Sequence, residues 1–423
     1  MTTSAESTSK SAGSRYPWVV VGLLWFCGFF NYADRQAINS VFPLLQEEFH
    51  LTNTQLGMLG SAFMVVYALS APLAGYVVDL ASRRVLIVVG LAFWSLICAA
   101  TGLARSFHQL LFYRAAEGLG ETVYFPASMS LLADYHGPRT RSRAMSIHQT
   151  SVYVGTALGA VVAGALGERY GWRSPFWVLG LVGLAYAGWL ATQIVEPVRG
   201  KNDEKPYPSA EGAGDELAPA RPDFFANLVD IVRIPAALML LAVFAGANFV
   251  ATIFLTWLTQ FVVTKFGLSL TISSITSTLF PMASLVGALF GGVMADRAAR
   301  RPGGRALVQG LGLIVGAPFI YAVGMASTVP MLIAVGLCKG VYDANIFASI
   351  FDVVRPQVRG TAAGLMNTVG WTFGSLGPLT AGILADRYGL SAAIASTAAV
   401  YVIVGLLAFV ASWLVARGQA IAK

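Results

Sequence analysis

Seven ionisable residues stand inside stretches that are otherwise apolar: Asp34 and Arg35, then Arg114, Glu117 and Glu121, then Lys339 and Asp343. His148 lies near the start of another such stretch. A carboxylate or guanidinium at the centre of a bilayer costs about 2.5–3.5 kcal/mol on the insertion scale, so charges kept there face a bundle interior or a wet cavity. The side-chain types suit two tasks. A carboxyl in a poorly hydrated site favours its neutral form and can load and release a proton near physiological pH. A guanidinium grips a carboxylate with two parallel hydrogen bonds. Asp34 and Arg35 are neighbours, and neighbours on a helix point about 100° apart, so each needs a partner elsewhere. Arg114, Glu117 and Glu121 are spaced three and four apart, on one helical face that offers both signs of charge. Gly118 and Gly120 leave room beside that face, and Lys339 and Asp343 share another face. A set of charges that only fixes helix packing is the plainer alternative.

The elements that hold these residues are membrane spans. Of the 423 residues 56% are hydrophobic and 12% charged, against about 25% charged in a soluble domain, and the mean hydropathy is +0.66. Windows of about 20 apolar residues begin near Pro17, Gln55, Val85, Gln109, Ala144, Ser174, Ile234, Thr271, Ala306, Pro330, Thr361 and Ser391, which predicts twelve helices. The first is too long for a cleaved signal and lacks a small-residue cleavage site. Cys27, Cys98 and Cys338 all fall in spans and read as apolar packers; no Cys/His spacing suggests a metal. The net charge of +7 is a topology signal rather than a sign of nucleic-acid binding. The two tails and the even-numbered loops hold 20 Lys/Arg and the opposite side five, so both termini are expected in the cytoplasm. The expected location is a bacterial-type inner membrane.

Residues 196–232, rich in Pro, Gly, Ala and acid, read as a cytoplasmic linker. They divide a six-helix bundle at 17–195 from another at 233–416, with tails at 1–16 and 417–423. One pattern closes four spans: "GYVVDLASRR", "GALGERYGWR", "GGVMADRAARR" and "GILADRYGL". Its acids are Asp79, Glu168, Asp296 and Asp386. Asp79 and Glu168 are 89 residues apart and Asp296 and Asp386 are 90; Asp79 and Asp296 are 217 apart, Glu168 and Asp386 218. The regularity predicts a duplicated six-helix unit, itself made of two inverted three-helix repeats, the plan of carriers whose halves rock about a central site. In each copy the glycine four residues before the acid would let helices approach. The acid would meet an Arg or a helix N-terminus across the seam between halves, a contact available in one access state only.

On these residues the chain resembles the major facilitator superfamily over essentially its whole length. Its G-x-x-x-D-R-x-G-R-R element is matched at Gly75, Asp79, Arg83 and Arg84, with Leu80 and Ser82 departing from the usual Arg and Gly. The copy at Gly292, Asp296, Arg297, Arg300 and Arg301 matches again. "NYADR" at 31–35 with Arg114 and Glu121 is similar to two branches, the anion:cation symporters and the spinster-like lipid transporters; the run "GLGETVYFPASMSLLADY" is also similar to the second. The symporter resemblance implies that Asp34 and Glu121 carry protons while Arg35 and Arg114 bind the substrate carboxylate. A bound anion that occupies Arg35 would let the nearby carboxyl keep its proton, so binding and protonation would favour each other. Tyr32, Asn345 and Lys339 are further candidates for substrate binding. Glu117, His148, Gln149, Tyr153, Tyr342, Asp343, Asn367 and Trp371 are further candidates to line the cavity, with Asn248 and Gln260. The same polar residues serve interhelical hydrogen bonds at least as often.

Three other classes are set aside. A channel would need a filter-like ring, a membrane enzyme a nucleophile–base set or metal ligands, and a nucleotide-driven pump a G-x-x-x-x-G-K-[ST] loop. The expectation is a monomeric carrier without cofactor, embedded in lipid, that moves a small, anionic solute with protons by alternating access; an amphiphilic lipid is the alternative cargo.

Overall fold

The structure, a computed structural model, describes residues 15–137, 140–197, 224–325, 329–355 and 358–418. Most of the segment read as a linker, and most of both tails, lie outside the described residues. The first half contains α1 (Tyr16–Ser40), α2 (Phe42–Phe49), α3 (Asn53–Leu80), α4 (Arg83–Thr101), α5 (Phe107–Glu121), α6 (Tyr124–Tyr135), α7 (Arg141–Tyr170) and α8 (Ser174–Gln193). The short α9 (Phe224–Val232) leads into the second half. There follow α10 (Pro235–Phe266), α11 (Leu270–Ser277), α12 (Leu279–Ala298), α13 (Gly304–Met325), α14 (Pro330–Asp343), α15 (Ile346–Phe351), α16 (Arg359–Tyr388) and α17 (Leu390–Ala416). No strand occurs among the described residues.

Among the described residues, ten spans are long and apolar enough to cross a bilayer by length and composition alone. The other two are α5–α6, interrupted at Thr122–Val123, and α16, a 30-residue helix with many Gly, Thr and other weakly apolar positions. Together they make twelve. Local signals set the boundaries: a capping box of Thr52 and Gln55 opens α3, and Pro17 and Pro235 occupy first turns, where the missing N–H costs nothing. Gly171 (φ 84°) and Gly389 (φ 82°) end α7 and α16 in a backbone region that other residues rarely adopt.

The halves are two six-helix bundles with matching internal packing. In the first, α1 lies along α7, α3 along α5 and α4 along α8; in the second, α10 lies along α16, α12 along α14 and α13 along α17. Each pairing in one half has its counterpart in the other, as a pseudo-twofold axis between bundles of inverted three-helix repeats requires. The seam obeys the same symmetry, because α3 packs on α16 and α7 on α11.

That seam is closed at the end away from the termini. Asp386, at the end of α16, accepts hydrogen bonds from the Asn53 N–H (2.8 Å), the Thr54 N–H (2.8 Å) and the Thr54 hydroxyl (2.6 Å), at the first turn of α3. Glu168, at the end of α7, accepts from the Thr271 N–H at the start of α11 (2.7 Å). Both are carboxylates on helix N-termini, where exposed N–H groups and the helix dipole favour negative charge. The Gln260 amide donates to Gln46 (2.7 Å) and the Leu379 N–H to the Ser61 hydroxyl (3.1 Å). Gly382 and Gly164 complete the closure: a Cβ on the first would sit 2.4 Å from the Asn53 carbonyl oxygen, and on the second 2.2 Å from the Ser274 hydroxyl.

At the other end, where contact across the seam was expected in one access state only, the described residues of the repeated element meet partners of their own half or stand exposed. Cβ atoms added to Gly75 or Gly292 would meet nothing within 4 Å. Asp296 is exposed and pairs with Arg305 of its own half (3.6 Å). Arg83 is buried among partners of its own half: it pairs with Asp134 and donates to Glu196 (2.8 Å). Arg84 donates to the Ala191 carbonyl (2.7 Å), while Arg297, Arg300 and Arg301 are exposed. The Asp79 side chain lies outside the described residues. The cause is geometric: in a two-bundle molecule closed at one end, the matching residues at the other end are held apart.

Candidate functional site

The break in α5–α6 follows directly on Glu121, and the Thr122 hydroxyl turns back to the Gly118 carbonyl (2.7 Å). Gly118 presses α5 against α3, since a Cβ there would lie 2.5 Å from the Phe63 carbonyl oxygen. This close approach carries the charged face of α5 to α1. Arg35 donates through Nε to Glu121 (2.5 Å) and Arg114 pairs with Glu117 one turn along its own helix. Arg114 also donates to the Arg35 carbonyl (3.5 Å). The Arg35 guanidinium is boxed by three aromatic rings, those of Tyr32, Phe63 and Tyr67, with centroids 4.6, 4.8 and 4.9 Å away. Such a box holds a guanidinium in one orientation and compensates part of its lost hydration. Two guanidiniums thus have two carboxylates, and Asp34 is the fifth charge. It is 1% exposed, and neither of its oxygens has a hydrogen-bond partner. Its polar surroundings are Glu117, Glu121, the Cys98 thiol and Arg114.

Arg35 and Arg114 face a cavity of about 210 Å³ lined by both halves. Tyr32, Gln36, Asn39, Phe63, Met64, Val152, Tyr153 and Thr156 complete the wall of the first half. The second half contributes Asn248, Thr252, Leu255, Phe280, Pro281, Ser284, Lys339, Asp343 and Trp371. Lys339 and Asp343 pair with each other across one turn of α14. Trp371 meets Tyr67 across the seam, rings 5.5 Å apart. Among the described residues no group of His, Cys, Asp and Glu is arranged to hold a metal ion.

The cavity therefore gathers Tyr32, Arg35, Arg114, Tyr153, Lys339, Asp343 and Trp371. Asp34, Glu117 and Glu121 stand sealed behind its wall. Others from the sequence reading lie elsewhere. Asn345, expected at the substrate, donates to the Gly291 (3.2 Å) and Val341 (3.0 Å) carbonyls and ties α14 to α12. It lies in the break between α14 and α15, where the Val341 carbonyl, in the last turn of α14, needs a donor. Tyr342 is buried in the core of the second half. His148 is buried in the first half against the Tyr124 hydroxyl (2.8 Å). Gln149 is half-buried off the cavity and Asn367 is exposed; Gln260 belongs to the closed end of the seam. The repeat spacing had marked Glu168 and Asp386 within a set of four acids, without saying that these two would close the seam. Sequence reasoning missed Glu196, where burial is outweighed by hydrogen bonds from the Arg84 N–H, Arg83 and Ser82, which hold the carboxyl below its ordinary range.

Comparison with known proteins agrees with this architecture. The chain is 25% identical over 380 residues to the hexuronate transporter of Bacillus subtilis, covering 88% of each chain. It is 28% identical to a probable sulfoacetate transporter of Cupriavidus necator, again covering 88% of each. Protein spinster homolog 1 of Homo sapiens is 27% identical, over 87% of this chain and 73% of that one. Among solved structures, a bacterial homolog of the human lysosomal transporter Spinster, inward-facing and unoccupied, superimposes with a TM-score of 0.85 at 22% identity, over 96% of this chain and 99% of that one. The Major Facilitator Superfamily model matches residues 24–378. With twelve helices in two pseudo-symmetric bundles around a charged central cavity, the chain belongs to the Major Facilitator Superfamily, as a multi-pass membrane transporter and not an enzyme.

Proposed function

We propose that the protein is a proton-coupled carrier of a small organic anion, a sugar acid or similar carboxylate, working by alternating access. One observation carries this reading. Arg35 offers its guanidinium to the cavity while its counter-ion, Glu121, is fully sealed behind it. An entering carboxylate competes for Arg35 from the open side. Glu121 then loses its partner in a place without water, where a neutral carboxyl is far less costly than an unpaired charge. Anion binding and proton binding thereby favour each other. Asp34, unpaired in the same cluster, is the second proton seat, and Arg114 with Glu117 repeats the arrangement of Arg35 with Glu121.

The hexuronate and sulfoacetate relatives favour an anion. The spinster relatives favour an amphiphile, and Phe63, Met64, Val152, Leu255 and Phe280 do give the cavity an apolar side. Against an amphiphile, Arg35, Arg114, Lys339 and Asp343 also line the cavity, and an apolar chain would strip their water without replacing its hydrogen bonds. The excess of basic residues on the side of the tails favours cytoplasmic termini; on that reading the closed end of the seam faces outward and the cavity opens inward.

The test is uptake into proteoliposomes of labelled sugar acids and, separately, of a lysophospholipid, with and without an imposed pH gradient. Concentration of a sugar acid only under the gradient supports the reading. Lysophospholipid movement without sugar-acid uptake would replace it.

A further inference from the structure

The two ends of the cavity present opposite faces to a ligand. On the first half the cation is forward: the Arg35 side chain is 12% exposed and Glu121 0%. On the second half the order reverses, for the Asp343 side chain is 36% exposed and that of Lys339 17%. A carboxylate that reaches Arg35 meets a positive wall. A second carboxylate reaching the far wall would meet Asp343 first.

From this reversal we infer that Lys339 and Asp343 select the far end of the substrate, and that the substrate carries one carboxylate and a neutral, hydroxylated tail. This rests on the anion reading of the same cavity. A hydroxyl suits a joined ammonium and carboxylate because it both donates and accepts. It donates a hydrogen bond to Asp343 and accepts one from Lys339 without breaking the ion pair. A second carboxylate satisfies only Lys339 and lies against the like charge of Asp343. An ammonium at that end suffers the mirror problem, with Lys339 as the like charge. An apolar tail leaves the pair unsatisfied by the ligand while stripping its water. Two phenols continue the polar track between the poles. The Tyr32 ring lies 4.6 Å from the Arg35 guanidinium, and Tyr153 lines the same cavity with Lys339 and Asp343.

Calorimetric titration of the full-length protein in detergent tests the assignment with three probes. Gluconate is a hydroxylated monoanion, glucarate a hydroxylated dianion and hexanoate a monoanion without hydroxyls. The wild type should bind gluconate at least about tenfold more tightly than either of the others. Asp343→Asn keeps the shape and removes the like charge, so it should narrow the preference for gluconate over glucarate by about tenfold. Glucarate or hexanoate equal to gluconate on the wild type would overturn the assignment while leaving the anion reading in place, and that ranking decides even if the variant does not fold. A preference unchanged in a folded Asp343→Asn would also overturn it. Binding of none of the three would remove the anion reading and this assignment together.

Discussion

Replacing Asp386 by alanine should weaken the closed end of the seam by about 2 kcal/mol. The carboxylate accepts three hydrogen bonds from the first turn of α3, at 2.8, 2.8 and 2.6 Å. Sealed from water, hydrogen bonds to a charged group would contribute about 1.5–3 kcal/mol each. Asp386 is exposed, so screening reduces each to about 0.5 kcal/mol, the range of surface ion pairs. Its placement on a helix N-terminus adds about 0.3–1 kcal/mol. A loss of about 2 kcal/mol changes the ratio of closed to open seams by about 30-fold. Spin labels at the exposed positions Glu47 and Thr264, on opposite halves beside the Gln46–Gln260 contact, report the gap by pulsed electron resonance. Asp386→Ala should transfer weight from the short distance to a longer one by about that factor, and adding Glu168→Ala should transfer more. Asp296→Ala, at the open end, should not lengthen the distance at all. An unchanged distribution in the Asp386→Ala, Glu168→Ala double variant would refute the claim that these acids hold the seam.

Other perturbations separate coupling from packing. Glu121→Gln mimics the protonated carboxyl, so exchange of labelled for unlabelled substrate should persist near the wild-type rate while uptake driven by a proton gradient collapses; parallel loss of both assigns Glu121 to packing. Arg114→Lys should weaken anion binding nearly as much as Arg114→Ala, because a point charge does not reproduce a two-pronged grip; wild-type affinity in the lysine variant would take Arg114 away from the substrate. Glu196 has a folded pKa below its ordinary 4.5, so its contribution to stability is full above that pH and is lost as pH falls through the folded value. Glu196→Gln should flatten the acid limb of the melting temperature below about pH 4.5, and an identical limb would remove Glu196 from the anchor of α4.

Periodicity and repeat spacing made the bundle legible, because an apolar span and a fourfold signature are local in sequence. The same spacing marked Asp79, Glu168, Asp296 and Asp386 as one set. Which two of them bridge the halves depends on which end is closed, and that is a property of the packed state. The buried charges were legible by their cost in lipid, and Arg35 was expected to need a partner from the fourth span. Its choice of Glu121 over Glu117, with Arg114 taking Glu117, follows from the approach of α5 to α3 at Gly118, which no spacing encodes. Asn345 misled because an amide beside a charged face looks the same whether it meets a ligand or ties a helix break to the neighbouring helix.

The account stands on the linkage between anion and proton at Arg35 and Glu121. Its most direct measurement is the pH change when gluconate is added to the purified protein in weakly buffered detergent near neutral pH, with binding followed in the same sample. Proton uptake should rise in step with occupancy, and should be lost in the Asp34→Asn, Glu121→Gln double variant. Saturable gluconate binding to the wild type with no proton taken up would contradict the account.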